Sequence, residues 1–535
     1  MKLSVFLSAA VLRSFAEAIT LTTHNNSYTV DAGSANSFEV VVSRSTCDIT
    51  SLKFRGVEAQ YSVQGSHIGS GLSSHTTVTA QEITKGSTKY VKITCDTATL
   101  THYYVVRDAQ SAVHMATHIT AEPSIGELRF IARLKGDVLH TDDVGQASDI
   151  GGYSSIVEGA DVFVVNGQTR SKFYSSQRFI DDQVHCMSGT DIKACMVIPG
   201  NGYESSSGGP FHRDINTNPT GPYSGLYYYM NSGHLQLESY RMGLHGAYSL
   251  VFLQSGLPDG KMDLSFMGSL GLKGWVAASG RGTVKGKASG IDGSKYQIVL
   301  HWFNDDAQYW SYADSSGNYA SPAMKAGTYT QVLYQSELKV ASSSVTVTAG
   351  GSTKSHIVST WTKPGLTLFQ IGDWDGLPKG FRNADKQARM HPSDARMSAW
   401  GPLTYTVGTS AVSDFPMAVF QSVNDPITVH FNLTAAQASG AATLRIGTTL
   451  SFSGARPQVE TNGKNGTVFP QPIYMNSRGV TRGGYRGRGD IYDFPIASGD
   501  LVTGLNTITI GVKSGSSGIA SLSPNYIFDA VHLFR

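Results

Sequence analysis

Three short runs carry side chains whose types and spacing can do chemistry together. In GELRFIARL (126–134), Arg129, Ile131 and Arg133 alternate with Leu128, Phe130, Ala132 and Leu134. A strand puts these two sets on opposite faces, and its rise places the arginines roughly 13 Å apart. That span is too long for one carboxylate and suits carboxylates at separate points of a polymer, which guanidinium groups clamp in bidentate fashion. In TRSKFYSS (169–176), Arg170, Lys172 and Tyr174 share a face and Phe173 takes the other. A lysine crowded by arginines in a half-buried cleft loses proton affinity and becomes a usable base. In LYYYMNSGHLQLESY (226–240), Tyr227 and Tyr229 project together, and Asn231-Ser232-Gly233 reads as a turn. His234, Gln236 and Glu238 then line one face, and an imidazole in that company can act as acid or base near neutral pH.

Each run also has an ordinary reading. Alternating arginines can be a solvated strand face, a lysine on an alternating strand is commonly a surface residue, and a lone histidine is more often structural than catalytic. Other mechanisms have less support. The chain lacks H-E-x-x-H, G-x-S-x-G and the phosphate-cradling G-x-x-x-x-G-K-[ST]. A glycosidase pair of carboxylates needs no sequence proximity and stays open. Asp181 and Asp182 would point to opposite faces of a strand and make a poor pair. GDWDG (Gly372–Gly376) has two carboxylates that leave a structural calcium open; lacking the spacing of an EF-hand loop, it reads as a turn.

The elements that must position these groups are strands. SFEVVVSR (37–44) alternates with Phe38, Val40 and Val42 on one face, and KYVKITC (89–95), DVFVV (161–165) and YSLVFL (248–253) behave alike. Long amphipathic helices are hard to find, and turn clusters of Gly, Ser, Asn and Asp recur. A chain of 535 residues is multidomain. We expect an all-β architecture with a large N-terminal β-sandwich over 19–270. A fibronectin-III-like sandwich of about eighty residues follows over 271–350. A jelly roll of roughly 180 residues completes the chain over 351–535. The six tryptophans all lie beyond residue 270, and most read as core residues rather than sugar platforms.

The opening MKLSVFLSAAVLRSFAEA reads as a secretory signal ending near Ala18. Its apolar run is too short, and too interrupted by Arg13, to span a membrane. We therefore expect a secreted, extracellular protein. Four cysteines suit that compartment. Cys47–Cys95 and Cys186–Cys195 are the nearest pairings and the simplest of three connectivities. A four-cysteine zinc site is disfavoured because no C-x2-C spacing occurs. Asn25, Asn432 and Asn465 head N-x-[ST] triplets and are candidate glycan sites. A net charge of +2, with 15% charged residues, argues against a nucleic-acid partner.

At these residues the chain resembles the fungal rhamnogalacturonan lyases of polysaccharide lyase family 4. The resemblance runs through VQGSHIGSGL, AEPSIGELRFIARL, TRSKFYSS, RFIDDQ, ESSSGGPFHRDIN, YMNSGH, ESYRMGLHG and GFRNADKQARMHPSDARMSAWGPLTYTVG, and covers essentially the mature chain. It implies three all-β domains in the order drawn above: an N-terminal catalytic β-sandwich, a small fibronectin-III-like domain and a C-terminal jelly roll resembling carbohydrate-binding domains. It implies Lys172 and His234 as the catalytic pair, Arg129 and Arg133 as substrate-binding arginines, and the two cystines already expected.

The reaction it implies is that of a rhamnogalacturonan endolyase. The bond from rhamnose to O4 of galacturonic acid in the rhamnogalacturonan I backbone of pectin is cut by β-elimination, leaving a 4,5-unsaturated uronate. No cofactor is needed for catalysis. Lys172 is expected to remove the C5 proton and His234 to protonate the leaving O4, with the reverse assignment open. Tyr227, Tyr229 and Glu238 are expected substrate contacts. We expect a monomer that contacts a pectic polysaccharide and neither nucleic acid nor membrane. Two other classes stay open: a glycoside hydrolase on the same backbone, and a non-catalytic sugar-binding protein.

Overall fold

The computed structural model describes residues 18–33, 36–69, 72, 76–124, 126–142, 150–159, 161–171, 177–232, 238–362, 364–386, 390–401, 403–473 and 489–535. Nearly every regular element among them is a strand, and the sole α-helix is the four-residue Ala435–Ala438. The all-β expectation holds, and its three parts appear in the expected order.

The first part is a large sandwich. Its five N-terminal strands, Thr20–Thr23 to Val57–Glu58, pair in sequence order. An eight-stranded sheet runs from Thr141–Asp142 at one edge to Thr77–Lys85 at the other. A four-stranded sheet takes the spatial order Thr217–Pro219, Tyr223–Ser232, Glu127–Lys135, His67–Ile68. The alternation of Phe38, Val40 and Val42 buries these three side chains. They meet Val91, Tyr104 and Met115 of the large sheet, and Phe130, Leu226 and Tyr228 of the smaller one, in a single core. Each fully buried side chain of this kind contributes about 1.5–3 kcal/mol, so the core fixes the strand faces. The cystines Cys47–Cys95 and Cys186–Cys195 are both formed. A separate three-stranded sheet, Ser155–Glu158, Val162–Val165 and Gln168–Ser171, ends at the residue before Lys172.

The second part packs the Ile298–Phe303 and Gly327–Gln335 strands against Arg281–Ser289 around Trp302. The buried indole N–H of Trp302 donates to Gln331 Oε1 at 2.8 Å. The third part faces two five-stranded sheets across Phe415, Phe431, Leu450, Ile508 and Phe528. No tryptophan is fully exposed. Trp302, Trp374 and Trp400 are buried, and Trp275, Trp310 and Trp361 are partly so, in keeping with core roles.

Buried ion pairs lock the parts together. Glu204 of the first receives both Arg281 terminal nitrogens, at 2.7 and 2.9 Å, and the Tyr309 hydroxyl at 2.8 Å. Glu337 of the second receives Arg178 at 3.2 Å and Arg213 at 3.0 Å. Its own N–H donates to the Asp375 carbonyl of the third at 2.8 Å.

Candidate active site

The site is built on two antiparallel strands. The arginine strand, Glu127–Lys135, pairs with the tyrosine strand, Tyr223–Ser232, so that Arg129 faces Tyr229, Ile131 faces Tyr227 and Arg133 faces Gly225. Leu128, Phe130, Ala132 and Leu134 enter the core, leaving the arginines on the other face as the alternation predicts. Cross-strand neighbours on one face of a sheet lie within side-chain reach. The structure thus brings Arg129, Arg133, Tyr227 and Tyr229 together from positions about a hundred residues apart in sequence.

Their geometry is specific. Arg129 Nη1 donates to the Tyr229 hydroxyl at 2.6 Å, and the guanidinium also pairs with Glu127. The Tyr227 and Tyr229 rings stack at 5.9 Å and pack with Ile131. Arg133 lies 5.6 Å from the Tyr223 ring centroid. Gly225 makes room for this arrangement: a Cβ there would stand 2.5 Å from the Tyr227 ring. The Nε atoms of Arg129 and Arg133 are buried without a hydrogen-bond partner among the described residues. Burial opposes the Arg129 charge, but Tyr229 and Glu127 outweigh it and keep the guanidinium more basic than usual. Burial, reinforced by Asp214, drives the Tyr229 hydroxyl well above its ordinary range, and burial raises Tyr227 too. The face therefore combines permanent cations with neutral phenols.

A buried polar network lies behind it. Asp182 and His185 are fully buried and joined at 2.7 Å. Asp182 also accepts from the Tyr203 hydroxyl at 2.5 Å and from Asn216 Nδ2 at 2.9 Å. His185 Nε2 meets the Tyr227 carbonyl at 2.6 Å. Asn216 receives the Gln177 N–H on its side chain and the Tyr227 N–H on its carbonyl, both at 2.8 Å. The tyrosine strand is thereby tied to the residue that follows 172–176. Asp182, His185, Tyr203 and Asn216 were not singled out from sequence as site residues. The three-residue step from Asp182 to His185 was the available signal.

Lys172 and His234 lie outside the described residues, as do Tyr174 and Gln236. Their nearest described flanks are Ser171 and Gln177 for the lysine, and Ser232 and Glu238 for the histidine. Two local expectations are corrected. Asn231 and Ser232 are strand rather than turn, because they pair with Leu128 and Glu127 across a bulge; tertiary pairing overrides the local turn preference of Asn and Ser. Glu238 sits in a bend rather than a strand. Its carboxylate accepts from the Gly208 N–H and from Arg241 Nη2 at 3.0 Å, so it braces a loop, and no contact to the arginine–tyrosine face is seen among the described residues. Arg241, buried, continues that brace to the Ser206 and Asn304 carbonyls.

Asn25, Asn432 and Asn465 are all exposed. Of the GDWDG carboxylates, Asp373 pairs with Lys295 at 2.9 Å and Asp375 accepts from the Leu377 N–H at 3.0 Å. Among the described residues no cluster of three or more His, Cys, Asp or Glu side chains could hold a metal ion. No helix among them is long and apolar enough to cross a membrane.

Comparison with known proteins covers the same three parts. Residues 19–274 match the family "Rhamnogalacturonan lyase B, N-terminal". Residues 280–355 match domain II of polysaccharide lyase family 4, and residues 367–533 match its domain III. The chain is 60% identical over 519 residues to a probable rhamnogalacturonate lyase A of Aspergillus clavatus, covering 97% of this chain and 96% of that one. It is 59% identical over 522 residues to rhamnogalacturonate lyase A of Aspergillus aculeatus, covering 97% and 96%. It is 58% identical over 532 residues to that of Emericella nidulans, covering 99% of each. With all three parts matched and similarity along nearly its whole length, the chain belongs to polysaccharide lyase family 4, the family of the rhamnogalacturonan lyases, and is an enzyme.

Proposed function

We propose that the enzyme cuts the bond between rhamnose and O4 of galacturonic acid in rhamnogalacturonan I by β-elimination, outside the cell. The observation that carries this reading is the arginine–tyrosine face: two cations spaced along one strand, half-buried, each with a buried Nε lacking a hydrogen-bond partner among the described residues. A uronate polymer offers carboxylates at separate points along its length. The relatives' names point to the same polymer.

The chemical difficulty is the C5 proton. It lies α to a carboxylate, and its removal adds charge to an anion. Cations already in place where the enediolate forms lower that barrier, and such preorganised electrostatics is usually the largest catalytic term. One of Arg129 and Arg133 fills that role at the reacting uronate, and the other holds a second carboxylate further along the polymer and fixes its register. Lys172 takes the C5 proton, the C–H electron pair becomes the C4=C5 bond, the C4–O4 bond breaks, and His234 delivers a proton to the departing O4 of the rhamnosyl fragment. The reverse assignment of base and acid balances equally. Tyr227 and Tyr229, as neutral phenols beside the cations, offer hydrogen bonds to sugar hydroxyls.

The experiment is a spectrophotometric assay on rhamnogalacturonan I and on homogalacturonan. Elimination generates an absorbing conjugated double bond, whereas hydrolysis by paired carboxylates does not. Lys172→Ala and His234→Ala should each lower kcat by roughly 10²–10⁴ while polymer binding persists. Chain shortening without new absorbance would replace this reading with hydrolysis, and a wild-type rate in either variant would remove that residue from the mechanism.

A further inference from the structure

The third part of the chain reaches back to the catalytic one at a telling place. The strand Gln168–Ser171 ends immediately before Lys172. It is four residues long, sits at the edge of the small three-stranded sheet, and buries none of its side chains fully. Its pairing with Val162–Val165 supplies backbone bonds only on one side. Hydrophobic burial therefore does little to fix it.

What holds it comes from far along the chain. Arg170 Nη1 lies 3.0 Å from Asp394 Oδ2, and the Asp394 side chain is 0% exposed. The Ser393 hydroxyl donates to Thr169 Oγ1 at 2.7 Å. Asp394 is itself rigidly presented. Its oxygens accept from the Arg396 N–H at 2.9 Å, Arg396 Nε at 3.0 Å and Arg396 Nη2 at 2.6 Å. The segment is pinned by the buried Trp400, whose indole N–H donates to the Pro392 carbonyl at 2.7 Å. Burial works against the Asp394 charge, but the Arg396 hydrogen bonds and the Arg396 and Arg170 charges outweigh it and hold the carboxyl below the usual range.

We propose that Asp394, carried by the third domain, is a positioning residue that sets the strand leading into Lys172, so that this domain completes the catalytic site through the Arg170–Asp394 pair. The proposal rests on the assignment of Lys172 to proton transfer. A carboxylate reaching across to a partly exposed arginine fixes the strand two residues before the base. Misplacement by about 1 Å can cost a catalytic step up to about a hundredfold. Arg170 is thereby engaged in the protein and is not one of the polymer-binding arginines.

The test uses the full-length enzyme and three variants: Asp394→Asn, Arg170→Gln and the double. Asp394→Asn keeps an oxygen for the Arg396 N–H groups and removes the charge. Arg170→Gln breaks the pair from the other domain, and Ser393→Ala serves if either misfolds. Each single variant should lower kcat about 10–100-fold with KM changed less than about threefold. The double variant should match the singles, and thermal unfolding should shift little. A kcat within about threefold of wild type in either folded single variant would overturn the proposal. So would a loss carried by KM alone, which would make the pair a substrate contact. Lys172→Ala, measured alongside, separates the two ideas. A fully active Lys172→Ala enzyme would defeat the base assignment. An inactive one, with Asp394→Asn and Arg170→Gln undiminished, would defeat the positioning role alone.

Discussion

Arg133 in the first domain and Arg445 in the third occupy equivalent settings: both sit on strands, both are partly exposed, and both lie over aromatic rings. They differ in what remains for a ligand. Arg445 makes two bonds of 2.7 Å to Asp493 and lies 5.7 Å from the Trp361 ring and 5.3 Å from that of Phe534. Its Nε and Nη2 donors and its faces are engaged. Among the described residues Arg133 has one ring contact, no ion pair and no hydrogen-bond partner for its Nε. Residue type and architecture being equal, incomplete satisfaction is what sets Arg133, proposed to bind polymer, apart from a structural arginine. Leaving a buried donor unpaired costs about 1–3 kcal/mol, and a ligand that supplies the acceptor recovers it.

That contrast can be broken by substitution. The largest effect should come from Arg133→Gln, with kcat/KM on rhamnogalacturonan I falling about 10–100-fold and thermal unfolding nearly unchanged. Full activity in a folded Arg133→Gln enzyme would place Arg133 with Arg445 among the structural arginines.

A second test concerns charge in the third domain, where the consequence should be stability. Asp375 is buried beside Asp529, which accepts the N–H groups of Asp375, Gly376 and Leu377. Burial pushes the Asp375 carboxyl up to about 7. The folded protein then keeps this proton to about pH 7, whereas the unfolded chain releases it in the ordinary carboxylate range. Its contribution to stability is full in acid and is lost as pH rises through about 7. Asp375→Asn should therefore be more stable than wild type at pH 8, by on the order of 2 kcal/mol. That advantage should vanish towards pH 4. Thermal unfolding of both proteins across this range reads it, and an advantage independent of pH would contradict the burial argument.

The smallest effect belongs to Arg445→Gln. Asp493 is half exposed, and such pairs contribute about 0–1 kcal/mol. Activity should stay at the wild-type level and unfolding should shift by a degree or two at most, by calorimetry or circular dichroism. A tenfold loss of activity here would mean that the third domain binds polymer through this face.

The amino-acid sequence alone determined much of this protein. Period-two alternation in GELRFIARL and SFEVVVSR dictated which side chains enter the core, because a one-residue slip would expose the entire apolar set. Four cysteines, each joined to its nearest neighbour in sequence, announced both cystines. The tryptophans read correctly as core residues because large rings gain most from burial. Only the tertiary structure decided that Tyr229 lies against Arg129 and that Asn231 and Ser232 extend a strand, since cross-strand register depends on partners a hundred residues away. The same holds for Glu238, drawn to Gly208 and Arg241 instead of to the arginine face, and for the buried Asp182–His185 pair. It holds most for Asp394, which meets Arg170 across 224 positions of chain. Local periodicity carries burial, but a charge's role depends on which opposite charge reaches it, and that is settled only when distant segments pack.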